Sequence, residues 1–394
     1  MRVLVLAPHP YYQERGTPIA VDLLVRALSQ HGDEVDVLTY HEGKDKKYDN
    51  VKIYRIKPFI HVRGIPPGFS LKKIMCDLHM FFSFISLMRS RHYDIVHAIE
   101  EASFMALVVC SITSTPFIYD MDSCMATQIV DKFPLLKPFR KIMDYIESMP
   151  MRHAAAVIPV CDALANQVLK YRDDNIVILK DVSLLGEESP HERKLDLRDE
   201  LKLSGKIAMY IGNLESYQGI DLMLESFAIA RQQNKDISLV IIGGNEVDIE
   251  KNLKLAASLG IENEVYFLGR RPMGHIGWYM SQANVLISPR KFGVNTPMKI
   301  YSYLHSGTAV LATALPTHTQ IMTNEMAMLS KPDKQSFASG LITLMASPTL
   351  CDQLAKKASE FIEREHSYHV FKDKLCALYD SLEKESGGHF QDAQ

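Results

Sequence analysis

The stretch from Val285 to Thr313 holds residues whose types and order suit the binding of an anion. A short apolar run, Val285 to Ile287, stops at Ser288-Pro289. A polar loop then carries Arg290, Lys291, Asn295 and Thr296, and Pro297 opens a segment that leads at once to Lys299. Strand, loop and helix follow one another. Proline is tolerated in a first helical turn, where the amide it lacks is unpaired in any case, and Thr296 just before it is placed to cap the exposed N–H groups. The helix is expected from Met298 to Ser306, closed by a left-handed Gly307, with a buried strand at Ala309 to Ala312. Unpaired amide donors, the positive end of a helix dipole and the cations Arg290, Lys291 and Lys299 together suit a phosphate; for any one cation the alternative is a solvated surface charge. Proton chemistry is offered by two other loops, HAIEEAS with His97, Glu100 and Glu101, and YDMDSCM with Asp120 and Asp122. A carboxylate at the end of a buried strand needs a partner, because burying it alone is costly. Helix N-capping is the structural alternative, and Asp122 followed by Ser123 is suited to it.

These side chains need strands that end at one edge of a sheet. Val3 to Ala7 is a continuous apolar run of the kind found in a parallel strand covered on both faces. The loop PHPYYQERGTP and the helical pattern IAVDLLVRALSQHG follow. Gly16 there allows close approach of a ligand, while Thr17 and Pro18 cap and start the helix; a plain turn glycine is the alternative for Gly16. Further strands are expected at Val35 to Thr39, Val51 to Ile56, Asp94 to His97, Phe117 to Tyr119, Ala155 to Pro159 and Ile176 to Leu179. Helical stretches lie between them, with breaks at Pro150 and Pro159. From Asp181 to Lys206 the pattern dissolves into a charged segment with Gly and Pro, read as a linker. A second series then opens with IAMYIGNLESYQGIDLMLESFAIA, again strand, glycine-bearing loop and helix, and runs through VYFLGRRP to the anion-binding stretch and two later helices. Strands alternating with helices in two series predict an α/β chain with two doubly wound parallel sheets, one in residues 1–180 and one in 207–365.

A chain of 394 residues with 47% hydrophobic residues is long enough for two such cores. A net charge of -3 argues against general affinity for nucleic acid, so an anion site must be a local cluster. The six cysteines form no CxxC pair and lie in apolar segments, as expected of reduced core residues in the cytoplasm, with neither a disulfide frame nor a zinc site. MRVLVLAPHP reads as a first strand rather than a signal peptide. Lys72 to Arg91 places Ile74, Met75, Leu78, Phe81, Phe82, Ile85 and Met88 at helical spacing. Its apolar part of about 15 residues falls short of the ~20 that cross a bilayer. A core helix is one reading; a peripheral contact with the inner face of a membrane, aided by Lys72, Lys73, Arg89 and Arg91, is the other.

The stretch TPMKIYSYLHSGTAV and the two glycine-bearing loops resemble the retaining glycosyltransferases of family 4, and the similarity covers nearly the whole chain. The resemblance implies the GT-B fold, two Rossmann-like domains facing a cleft, with the acceptor on the N-terminal domain and the nucleotide-sugar donor on the C-terminal one. It also implies a final helix, in 366–386, that returns to the first domain. The family's E-x7-E glutamates would fall at Val294 and Ser302, so both carboxylates are missing. An arginine and a lysine that neutralise the leaving diphosphate in the family are replaced by Asn213 and Gln218 in GNLESYQG. Substitutes must come from Arg270, Arg271, Arg290, Lys291 or Lys299, with Lys299 the first choice. Carried over by position, Gly16, Thr17, Asn213, Gln218, Arg270, Arg290, Asn295, Thr296, Lys299, Tyr301 and Ser302 would contact the donor; for Ser302 a small packed residue is the alternative. Asp122 and Glu100 would stand near the reacting sugar and the acceptor hydroxyl. The implied activity is hexosyl transfer with retention from a nucleotide diphosphate sugar, as co-substrate, to a glycan or lipid-linked acceptor, without a metal or other cofactor. The alternatives are an inactive GT-B binding or scaffold protein, or an epimerase or phosphorylase of the same fold.

Overall fold

The computed structural model describes residues 1–13, 16–57, 63–65, 70–185, 196–293 and 296–391; Asn295 and the position of Val294 lie outside them. The chain divides into two compact units. The first comprises residues 1–181 and the C-terminal helix from 369, and the second 182–368.

The first unit contains β1 (Arg2–Ala7), β2 (Glu34–Thr39), β3 (Val51–Arg55), β4 (Ile95–Ile99), β5 (Phe117–Met121) and β6 (Ala156–Pro159), in the order β3-β2-β1-β4-β5-β6. All neighbours run parallel, with Val3 opposite Val35 on one side and Ile95 on the other. The second unit repeats the order with β7 (Lys206–Ile211), β8 (Ile237–Ile242), β9 (Val265–Gly269), β10 (Val285–Ser288), β11 (Ala309–Thr313) and β12 (Met328–Ser330), arranged β12-β11-β10-β7-β8-β9 and again all parallel. Each sheet is therefore doubly wound, and its strand order reverses between two central strands, β1 and β4 in one unit, β7 and β10 in the other. That reversal opens a crevice beyond the carboxyl ends of the strands, where ligands of such sheets bind.

The apolar runs behave as a covered parallel sheet requires. All four residues of β10 and all five of β4 and β11 are buried. Three expectations are corrected. Ile176 to Leu179 does not form a strand; it runs beside β6 and makes one bridge, Val157 to Ile176. Pro150 does not break its helix, which spans Arg140–His153. The carbonyl that loses its donor there is that of Ile146, a residue 46% exposed, so water can satisfy it. The segment read as a linker contains a helix, Leu197–Leu201, capped by Asp196 through the amides of Arg198 and Asp199 and anchored by a buried Leu197. Among the described residues no helix is long and apolar enough to cross a membrane.

Candidate functional site

In the second unit, the loops after β7 and β10 are knitted together. The Lys291 amide donates to the carbonyl of Tyr217 at 3.0 Å, and Lys291 Nζ pairs with Asp221 at 2.5 Å. Gly219 takes φ 73°, and a Cβ there would stand 2.0 Å from the carbonyl oxygen of Pro289. Only glycine satisfies both conditions.

The helix that follows β10 runs Lys299–His305, with Met298 at its N-cap and no side-chain cap. Thr296 therefore does not play the capping role that its position suggested. Lys299, the first helical residue, points its ammonium to the end of β7. It lies 3.9 Å from the centroid of the Tyr210 ring and donates to Oε1 of Gln218 at 3.3 Å. Gln218 is buried, and Tyr210 donates its hydroxyl to the carbonyl of Asn213 at 2.6 Å, fixing the loop. Asn213 Nδ2 in turn donates to the Tyr217 hydroxyl at 3.3 Å, and the Arg290 guanidinium lies 5.2 Å from the Tyr217 ring. The two positions at which the resemblance calls for cations, 213 and 218, are thus met by two cations from another loop. Lysine reaches Gln218, and arginine reaches the tyrosine that holds Asn213.

Lys299 remains partly open as a residue, but its ammonium is closely surrounded by protein. Burial, and then the charge of Arg290, hold its pKa well below the usual lysine range; burial also lowers that of Arg290. The aromatic face offsets only part of this cost. A bound diphosphate would restore the missing counter-charge. Beneath them, buried His318 donates from Nδ1 to the carbonyl of Thr313 and accepts the Ser288 hydroxyl proton on Nε2, both at 2.8 Å. Burial pushes its pKa down to about 4, so the imidazole is neutral and adds no charge to the site.

Other expected donor contacts fall elsewhere. Tyr301 and Ser302 are turned inward: Tyr301 packs against His366 at 4.9 Å between ring centroids, and Ser302 Oγ accepts the Leu184 amide at 3.1 Å. Both are nearly fully buried, so the packed alternative for Ser302 is the one realised. The helix rotates a neighbour into the polar role instead. Tyr303 accepts the Ile211 amide at 2.7 Å and donates to the Ile211 carbonyl at 3.1 Å, bracing the end of β7. Arg270 is exposed beyond β9, two strands from β7.

In the first unit, acids gather where the cations gather in the second. Glu100 leaves β4 with φ 51°, a left-handed conformation uncommon for a residue with a side chain. It accepts the Ser123 hydroxyl at 2.9 Å. Asp122, just past β5, accepts a bond from the side chain of Thr17. Gly16 is the first residue of the helix Gly16–His31 and takes no positive φ, so close approach rather than backbone freedom is what it offers. Burial, followed by the charge of Asp122, raises the Glu100 carboxyl well above its usual range, and burial with Asp120 does the same for Asp122. Asp181 is pushed up to about 7 by burial and Asp120. Asp122 does not cap the helix that follows it. The next helix, Met125–Lys132, is capped by buried Glu147, which accepts the amides of Met125 at 2.8 Å and Ala126 at 3.3 Å. His97 is fully buried and links Asp120, at 3.2 Å from Nε2, to the hydroxyl of Tyr379 on the C-terminal helix, at 2.8 Å from Nδ1. One of the two aspartates of Asp120-Met121-Asp122 is therefore committed to an internal chain of contacts.

Sequence reading passed over Tyr210, Tyr303, His318, Asp181 and Glu147. Tyr210 carries a signal, a polar-tipped ring within an apolar strand just before a glycine loop. The others sit inside apolar or charged segments that give no comparable hint.

Comparison with known proteins follows the same division. Residues 15–180 match the family described as Glycosyltransferase Family 4, and residues 193–361 match Glycosyl transferases group 1. Between them the two matches, both to glycosyltransferase families, span both units, and the chain has the GT-B fold. An uncharacterized glycosyltransferase of Haemophilus influenzae is 27% identical over 161 residues, 40% of this chain and 44% of that protein, so the match spans less than half of that relative. Among solved structures, sucrose-phosphate synthase of Thermosynechococcus elongatus has a TM-score of 0.74 at 17% identity, covering 98% of this chain and 99% of its own. HepE of Anabaena, in complex with UDP, has a TM-score of 0.75 at 14% identity, covering 97% and 100%.

Proposed function

We infer that the protein is a glycosyltransferase that moves a hexosyl group, with retention, from a nucleotide diphosphate sugar to an acceptor hydroxyl. The observation that carries this reading is the Lys299 ammonium set against Gln218 and Tyr210, a buried cation whose nearest charged influence is a second cation, Arg290. A pair of cations held in a low-dielectric pocket stabilises most strongly the charge that appears on a departing diphosphate. HepE, of the same fold, has been solved with UDP and with UDP-glucose, which agrees with a donor of that class.

In this reading the acceptor attacks from the face on which the diphosphate leaves, and the departing phosphate takes up the acceptor proton. Lys299 and Arg290 neutralise the leaving group, so the donor is the co-substrate and the neutralising role falls to side chains. Asp122 and Glu100 orient the acceptor; burial raises both carboxyls well above their ordinary range, which suits groups that share a proton with a hydroxyl. Thr17 holds the Asp122 carboxyl in place. The reading extends to a cytoplasmic enzyme whose acceptor is a glycan or a lipid-linked sugar.

The second reading, a nucleotide-sugar-binding protein without turnover, is favoured by Ser302, which stands buried where the resemblance calls for a glutamate. Thermal unfolding of the wild type and Lys299→Ala with a panel of nucleoside diphosphates, with and without EDTA, tests the donor site. Selective stabilisation of roughly 5–10 °C at saturating ligand, lost in the variant and unchanged by EDTA, is expected. No shift with any nucleotide would sink the assignment of the site. A shift without product release from the matching nucleotide sugar, over a panel of acceptors, would favour the second reading.

A further inference from the structure

The first unit contains a helix packed the wrong way round for a soluble surface. In Arg140–His153 the residues Ile142, Tyr145, Ile146 and Met149 recur at the spacing of one helical face, and all are exposed, by 58%, 66%, 46% and 38%. The buried side carries Glu147 and Ser148 together with Pro150 and Met151, and only Met151 of these is a core apolar side chain. This orientation is fixed from within, because Glu147 is the cap of the neighbouring helix Met125–Lys132 through two backbone amides. Rotating the apolar stripe inward would bury that stripe but strip the cap and expose its amides.

The turn leading into this helix continues the same surface. The 3-10 segment Pro134–Phe139 buries no residue, and Leu135 and Phe139 are 92% and 54% exposed. Interleaved with the apolar side chains are Lys132, Lys137, Arg140 and Lys141; Arg140 pairs with Asp144 at 2.7 Å and Glu147 is buried, so the outward charge of residues 132–149 is carried by the three lysines. Large apolar side chains kept in water are costly and need a cover. The charge selects which one. A second copy meeting this patch about a twofold axis would bring its lysines against the same lysines, since such an interface pairs a surface with itself. An anionic lipid surface instead accepts both features, apolar side chains at the acyl boundary and lysines among headgroup phosphates.

We propose that residues 132–149 form a membrane-docking face that seats the first unit on anionic lipid. This goes beyond the glycosyl-transfer reading and does not depend on it. It also moves the contact away from the helix suggested by the sequence. That helix, Leu71–Ser90, buries Cys76, Met80 and Phe84 and turns Leu71, Ile74, Leu78 and Phe82 outward, but unlike 132–149 it is not continued by an exposed apolar turn such as Pro134–Phe139 among the described residues.

Co-sedimentation of the full chain with vesicles of phosphatidylcholine, alone or mixed with phosphatidylglycerol, tests the proposal. The wild type is expected to partition at least about tenfold more strongly onto the anionic vesicles at low salt, and less as salt rises. Leu135→Ser with Ile142→Ser, and separately Lys137→Glu with Lys141→Glu, should each lower that partition roughly tenfold, whereas Leu78→Ser with Phe82→Ser should leave it nearly unchanged. The altered side chains are exposed, so folding, checked by thermal unfolding, is retained. Absence of binding to anionic vesicles, or equal binding by all four proteins, would overturn the proposal. So would a dimer in sedimentation velocity that Leu135→Ser with Ile142→Ser dissolves, since the cover would then be a second copy.

Discussion

The two units share one strand order and carry opposite chemistry at or next to the place where that order reverses. Beside the reversal in the first unit, the loop after β4 supplies Glu100 and the loop after the next strand, β5, supplies Asp122, which Thr17 from beyond β1 contacts, with Asp181 beside Asp120. At the reversal in the second unit, the loops after β7 and β10 bring Arg290 and Lys299 onto a pair of tyrosines. In each, burial pushes the groups toward neutrality, the acids by raising their pKa and the lysine by lowering it. The doubly wound sheet thus provides a place for a ligand, and the sign of its charge is a matter of a few side chains. An acidic site suits a hydroxyl that must be oriented and share its proton, and a cationic one suits a diphosphate.

The strongest way to break this division is Asp122→Asn, which keeps the shape but cannot take up a proton. Turnover should fall roughly 10³-fold with nucleoside diphosphate affinity unchanged, measured by product formation and calorimetric titration side by side. Equal loss in both would mean that the two sites are not separate in function. In the second unit, Lys299→Gln should weaken nucleoside diphosphate binding about 100-fold, as for other buried charged contacts. Adding Gln218→Lys returns the cation from the neighbouring loop, and affinity should recover to within about tenfold of the wild type. A double variant no better than the single one would show that position, and not charge alone, is what Lys299 supplies.

Acidity offers a finer comparison, because the units should respond to it in opposite directions. Asp181, at about 7 in the folded chain against an ordinary 3.8, binds more protons folded than unfolded in that interval, so its unit loses stability as pH rises through it. His318, at about 4 against an ordinary 6.5, binds fewer protons folded than unfolded, so its unit gains stability as pH rises from 4 to 6.5. The effect is expected on the order of 4 kcal/mol for Asp181 and about 3 kcal/mol for His318. Native-state hydrogen exchange at several pH values, followed in β4 and β11, reads the two slopes separately; parallel slopes would show that these two groups do not govern the response. The smallest effect belongs to Ser302→Ala. It removes the bond to the Leu184 amide and should cost about 1 kcal/mol in denaturant unfolding, with no change in nucleotide affinity. A large loss of affinity would return Ser302 to the donor site.

Composition, alternation and loop chemistry in the sequence determined the class of fold, the two series of strands, and the cations and acids that the loops carry. Continuous apolar runs such as Val285 to Ile287 have few ways to be buried other than as central parallel strands, and glycine and proline mark where such strands must end. Lys299 was legible as a candidate for this reason, since a lysine at a helix start beside a polar loop is a local feature. What it touches was not legible. Gln218 lies 81 residues earlier and Tyr210 is further still, and only the adjacency of β7 and β10 brings them together. The same holds for Ser302 and Tyr303, neighbours in sequence whose roles are set by the phase of a seven-residue helix against β7. Glu147 reads as one more charge on an amphipathic pattern until tertiary packing makes it the cap of another helix and turns that pattern outward. Period and propensity act over a few residues, while partner, burial and sign of pKa shift depend on atoms that meet only after the chain has crossed from one strand to the next.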